Sequence, residues 1–144
     1  MASITLFDNF LLLLGAGYYY LHSDTLVFAL TNLAPTKATD QGFLPFGAHR
    51  FPTNMNGYSQ YGIPATGVSW TTNTGVATLA CSNNIVITAT GALGPFQYIL
   101  LYDDTTSSPI VDCLIGYWDY GSSISMINGE TFTIEMGASL FTLT

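Results

Sequence analysis

The sequence predicts an all-β domain, an antiparallel β-sandwich or jelly-roll-like body with one short N-terminal helix. Three observations carry that prediction. Eight short β-prone runs follow one another between residues 68 and 143, only one segment has helical periodicity, and the 144-residue length suits a single core. The chain is therefore read as one domain over residues 1–144. It comprises an N-terminal helix within 1–15, a long contact loop over 35–64 and a β-rich body over 66–144.

The helix comes first. From Ile4 to Leu14 the apolar positions Leu6/Phe7, Phe10/Leu11 and Leu14 recur at helical spacing, with Thr5 available as a cap and Gly15 and Gly17 as stops. The run Leu11–Leu14 wraps beyond a single stripe. A well-buried helix accounts for that, and so does a helix whose outer leucines, Leu11 and Leu12, face a neighbouring subunit. Tyr18 to Leu21 then reads as extended, His22-Ser23-Asp24 as a turn, and Thr25 to Thr31 as a strand ended by Asn32 and Pro35.

Residues 35–64 change character, holding four of the six prolines, several glycines and both cations, Lys37 and Arg50. A structureless stretch of this length is uncommon in a compact domain and usually marks a contact loop. Prolines and glycines deny it ladder hydrogen bonds, while Phe43, Phe46, Phe51, Tyr58 and Tyr61 give it apolar area that is costly to leave in water. The expectation is a loop ordered by a neighbouring chain. Phe43, Phe46, Arg50, Phe51, Tyr58 and Tyr61 are thus partner-contact candidates, together with Leu11 and Leu12.

The strands follow at Val68–Thr72, Val76–Cys81, Ile85–Thr90, Phe96–Tyr102, Ile110–Tyr120, Ser122–Met126, Thr131–Met136 and Leu140–Leu143. Phe96–Tyr102 and Ile110–Trp118 are apolar on both faces, which predicts central strands covered on both sides. Around Ile127-Asn128-Gly129 the apolar residues Ile124, Met126, Phe132, Ile134 and Met136 are all even-numbered. In a hairpin, a two-residue loop would split them between faces. A three-residue loop, pairing Met126 with Glu130 and Ile124 with Phe132, keeps them together and places Gly129 where a left-handed backbone is needed.

Composition bounds function. Apolar residues make up 49% and charged residues 8%, with mean hydropathy +0.38, more apolar than one core requires. The surplus points to contacts with other chains. Nine acidic against two basic residues give a formal charge of -7, which repels nucleic-acid phosphate. The apolar run Phe10–Leu14 is far shorter than the ~20 residues that span a bilayer, and no basic residue precedes it as in a signal peptide. Cys81 and Cys113, without a C-x-x-C or paired histidines, read as buried free thiols in a reducing cytoplasm.

Catalytic patterns are absent: no H-E-x-x-H, G-x-S-x-G, Walker or Rossmann motif occurs, so no enzyme and no cofactor is expected. Asp103, Asp104 and Asp112 flank a Thr/Ser-rich turn. Oxygen ligands of this kind can hold calcium, but the spacing fits no calcium loop, and a solvated hairpin end is the plainer reading. His22 and His49 read as surface hydrogen-bonders. Tyr117, Trp118 and Tyr120 offer either a sugar-stacking platform or alternating strand packing.

The ordered set Ile4–Phe10, Ser23–Asn32 with Ala34-Pro35-Thr36, Tyr98–Asp104, Leu114–Gly121 and Asn128–Thr133 resembles small virion structural proteins of tailed bacteriophages, several of which are capsid decoration, or cement, proteins. The segment from Gln41 to Tyr61 departs from that pattern. The resemblance implies a phage particle component with a β-sandwich or jelly-roll-like body, made in the host bacterial cytoplasm. With the low charge, the apolar surplus and the long loop, the leading expectation is a decoration protein, a homotrimer on the outer head surface that binds the major capsid protein. A tail or head-tail junction protein and a carbohydrate-binding module are the alternatives.

Overall fold

The computed structural model describes residues 3–43, 51, 54–106 and 109–144. Its elements in chain order are β1 (Thr5–Leu6), α1 (Asp8–Gly15), β2 (Leu26–Thr31), β3 (Ile63–Pro64), β4 (Val68–Asn73), β5 (Val76–Cys81), β6 (Ile85–Thr88), β7 (Leu93–Asp103), β8 (Cys113–Met126), β9 (Thr131–Ile134) and β10 (Phe141–Leu143). They form three antiparallel sheets, ordered β1-β8-β7-β2-β3, β10-β5-β4 and β6-β9. Among the described residues the fold is all-β with one short helix.

The long pair β7 and β8 is the spine of the five-stranded sheet, in register through Ile99 opposite Trp118 and Leu101 opposite Gly116. Leu100, Leu101, Leu114 and Ile115 are fully buried, as strands apolar on both faces require. The β8 strand also absorbs the run from Ser122 to Met126, continuous through Gly121, while Ile110 to Asp112 belong to the preceding loop. On the other side of β7, β2 is buried along its whole length. A near-parallel contact of Phe28 with Trp118, centroids 5.8 Å apart, ties β2 to β8.

At the N-terminus the structure corrects the expectation of a helix from Ile4. Thr5 and Leu6 instead pair with Tyr117 and Gly116, and Phe7 N–H donates to the Ile115 carbonyl at 3.1 Å. The edge of β8 offers unpaired main-chain groups, and β-branched Ile4 and Thr5 suit a strand better than a first helical turn. Gly116 permits the approach: a Cβ there would lie 2.9 Å from the Thr5 carbonyl oxygen. Thr5 is no cap. Phe7 occupies the N-cap without a side-chain bond, and Asp8 in the first turn pairs with Lys37 at 3.2 Å. Phe10 and Leu13 face inward, and the Phe10 ring meets Tyr19 and Phe141 edge-on at 4.9 and 5.7 Å, so α1 bridges the first two sheets.

The turn after β8 is a second correction. Glu130 N–H donates to the Ile127 carbonyl, and Ile127 N–H donates to Glu130 Oε1 at 2.8 Å, so Asn128 and Gly129 form a two-residue turn, with Gly129 at φ +89°. The flanking strands then part. Ile124 and Met126 pair with Phe96 and Leu93, while Phe132 and Ile134 pair with Ile87 and Ile85 of β6. Buried Met126, Ile134 and Met136 keep the inward alternation of even residues. Alternation fixes which side chains face in, but it does not name the strand they pair with.

Candidate functional site

The loop over 35–64 is built into its own domain wherever it is described. Asp40 N–H donates to the Thr36 carbonyl, Phe43 N–H to the Asp112 carbonyl, and Leu114 N–H to the Gln41 carbonyl, which seats the loop's first part beside β8. Phe43 is 0% exposed and stacks on Tyr102. Tyr58 is 3% exposed, and its hydroxyl accepts the Leu30 N–H at 2.7 Å. Both are corrected from partner-contact candidates to core residues. The reason is that β2, β7 and β8 leave apolar ground for the loop to cover. Phe51 is half-buried and meets Tyr58 edge-on at 5.8 Å. Pro64 lies in β3, whose single described partner strand is β2. Phe46 and Arg50 lie outside the described residues.

Of the partner-contact candidates among the described residues, those that remain exposed are Tyr61 and, on α1, Leu11 and Leu12. Leu12 is 70% exposed and Leu11 is also exposed, as are Tyr18 and Tyr20 just beyond the helix. Tyr18 and Tyr20 were not among the sequence candidates. Their signal was alternation in an extended segment, which turns Tyr19 inward, its hydroxyl donating to the Leu114 carbonyl, and its two neighbours outward. Leu11, Leu12, Tyr18 and Tyr20 thus place four large apolar side chains in water within ten residues of chain.

The acidic turn departs from the solvated hairpin end expected of it. Asp103 is fully buried, and Asp112 nearly so. The Thr105 N–H donates to Asp103 Oδ1 at 2.8 Å, while Asp103 Oδ2 accepts no hydrogen bond from the described residues. Thr106 knits the turn, its hydroxyl donating to the Asp103 carbonyl and accepting from Cys113 N–H. Burial, and then the Asp24 carboxyl beside it, push the Asp103 carboxyl up to about 7. Burial and neighbouring Asp104 push Asp112 up to about 6. Among the described residues no three His, Cys, Asp or Glu side chains are grouped to hold a metal ion. His22 is exposed in its turn, and His49 lies outside the described residues.

A cleft of about 200 Å³ lies where β8 passes β9, with Ile99, Trp118, Asp119 and Tyr120 on one side and Phe132 to Glu135 on the other. Asp119 Oδ1 accepts from Gln97 Nε2 at 2.9 Å and from Gly121 N–H at 2.8 Å. The three aromatics read as a sugar platform do not share a surface. Tyr117 packs against Phe7 and Tyr98, Trp118 is buried, and Tyr120 alone is exposed, its ring edge-on to Phe132 at 5.9 Å. Among the described residues no helix is long and apolar enough to cross a membrane.

Comparison of the chain with protein-family models, with curated proteins and with solved structures finds no match in any of the three.

Proposed function

We propose that this chain is a bacteriophage capsid decoration protein, a homotrimer that binds the outer surface of the major capsid lattice and stabilises the head. The observation that supports it is the exposed apolar group at Leu11, Leu12, Tyr18 and Tyr20 on a protein with 8% charged residues. Such area is costly to leave in water, and it suits a subunit that spends its working life docked. The sequence resemblance to small virion proteins points the same way. Exposed Tyr61 stays among the contact candidates and Tyr18 and Tyr20 join them, whereas buried Phe43 and Tyr58 leave the list.

A surface carrying net charge -7 belongs outside the DNA-filled head, where phosphate does not repel it. Counting copies per purified virion tests the role. Hundreds of copies support a lattice-bound protein, while tens or fewer favour a tail or head-tail junction component.

A further inference from the structure

The edge of β9 carries an inference that does not depend on the capsid reading. Among the described residues β9 pairs with β6 alone. Ala89 N–H donates to the Glu130 carbonyl at 2.8 Å, just beyond the pairs Ile87–Phe132 and Ile85–Ile134. Hydrogen-bonded and non-bonded pairs alternate along an antiparallel ladder, so the main chain of Phe132 and Ile134 is turned to β6. Met136 N–H, donating to Asn84 Oδ1 at 2.9 Å, keeps the same parity. The N–H and C=O groups of Thr131, Thr133 and Glu135 therefore point to the other edge. Thr133 and Glu135 line the cleft, facing Asp119 and Tyr120.

We propose that this open edge is a strand-addition site for an extended segment of another protein that carries Lys or Arg. Its main chain pairs with Thr131, Thr133 and Glu135, as extended peptides do at exposed sheet edges. Its cationic side chain enters the cleft, where the Glu135 and Asp119 carboxylates provide opposite charge and the exposed Tyr120 ring provides a face for the aliphatic stem or the cation. A second copy of this chain does not supply that segment. Its cations are Lys37, already paired with Asp8, and Arg50, which stands two residues before Pro52, a residue that cannot donate to a strand ladder. Charge complementarity thus selects a foreign, basic strand.

The test uses the full chain, isotope-labelled, and two synthetic peptides: acetyl-Thr-Val-Lys-Val-Arg-Val-Thr-amide and the same peptide with Glu for both Lys and Arg. The basic peptide is expected to shift the Thr131, Thr133 and Glu135 amide resonances and to slow their hydrogen exchange roughly tenfold at saturation. The acidic peptide is expected to bind at least about tenfold more weakly. Thr133→Pro removes an N–H that β6 does not use, so it should fold normally and lose binding. Glu135→Lys, at an exposed side chain, tests the same site without touching the main chain and should weaken the basic peptide about tenfold. No binding of the basic peptide, equal binding of the acidic one, or full binding by either variant overturns the proposal.

Discussion

The ring of Phe43 lies 4.4 Å from that of Tyr102 with the planes only 11° apart, and the Tyr102 hydroxyl donates to the Tyr61 carbonyl. One tyrosine of β7 therefore holds two distant points of the 35–64 loop. Phe43→Ala should cost about 3–5 kcal/mol of unfolding free energy, the usual range for a fully buried Phe, by emptying that stack. Denaturant melts check it. A loss below about 1 kcal/mol would mean that Phe43 is free to serve a partner instead.

Asp103 and Asp112 make stability depend on pH. Both carboxyls titrate higher in the folded chain than the ordinary 3.8, at about 7 and about 6, so the folded state holds protons that the unfolded state has released. Their contribution is fully present below the unfolded value and is lost as pH rises through 6 and then 7. Asp24 and Asp104, the carboxylates beside them, add repulsion as both ionise. The melting temperature should fall by several degrees between about pH 5 and about pH 8. Asp103→Asn, which keeps an acceptor for the Thr105 N–H, should flatten most of that fall and raise stability at the alkaline end.

The thiols of Cys81 and Cys113 should stay free. Each is buried and donates to a nearby carbonyl, Cys81 to Thr66 at 2.9 Å and Cys113 to Ile110 at 3.2 Å. An intact mass measured without reductant should show no loss of two hydrogens, and both thiols should react with an alkylating agent only after unfolding.

Much of this fold was legible in the sequence because burial leaves a pattern. The bounds of β5, Val76–Cys81, are those its β-prone run predicts, and the two-sided apolar runs became the buried spine of β7 and β8. What was not legible depends on partners distant in sequence. Thr5 and Leu6 have helical spacing yet gain a β8 edge, and Phe132 has hairpin spacing yet pairs with β6. Phe43 and Tyr58 sit among glycines and prolines, where aromatic rings read as exposed until β2 and β7 are seen beneath them. Of the residues singled out in the sequence, Leu11, Leu12 and Tyr61 are exposed, and exposed Tyr18 and Tyr20 were not among them. The carboxyls of Asp103 and Asp112 looked solvated because sequence does not show what folds over a turn.

Leu12 separates stability from docking. At 70% exposure it touches little of its own chain, so Leu12→Ser should change unfolding free energy by no more than about 0.5 kcal/mol. Paired with Tyr20→Ser, it should nonetheless lower occupancy on purified particles, measured by densitometry against the major capsid protein. Unchanged occupancy would remove the α1 face from the interface.

The central claim, a subunit that stabilises an assembled shell without being needed to build it, is tested most directly by add-back. Particles lacking this protein are purified, the protein is restored at low and at high salt, and thermal release of DNA is followed. A ligand of the assembled lattice stabilises it by mass action, and a contact made mainly of apolar and main-chain groups is little screened. The account predicts normal heads without the protein and a release temperature that rises with occupancy at both salt concentrations. Absence of normal heads, or a release temperature that add-back leaves unchanged, would contradict it.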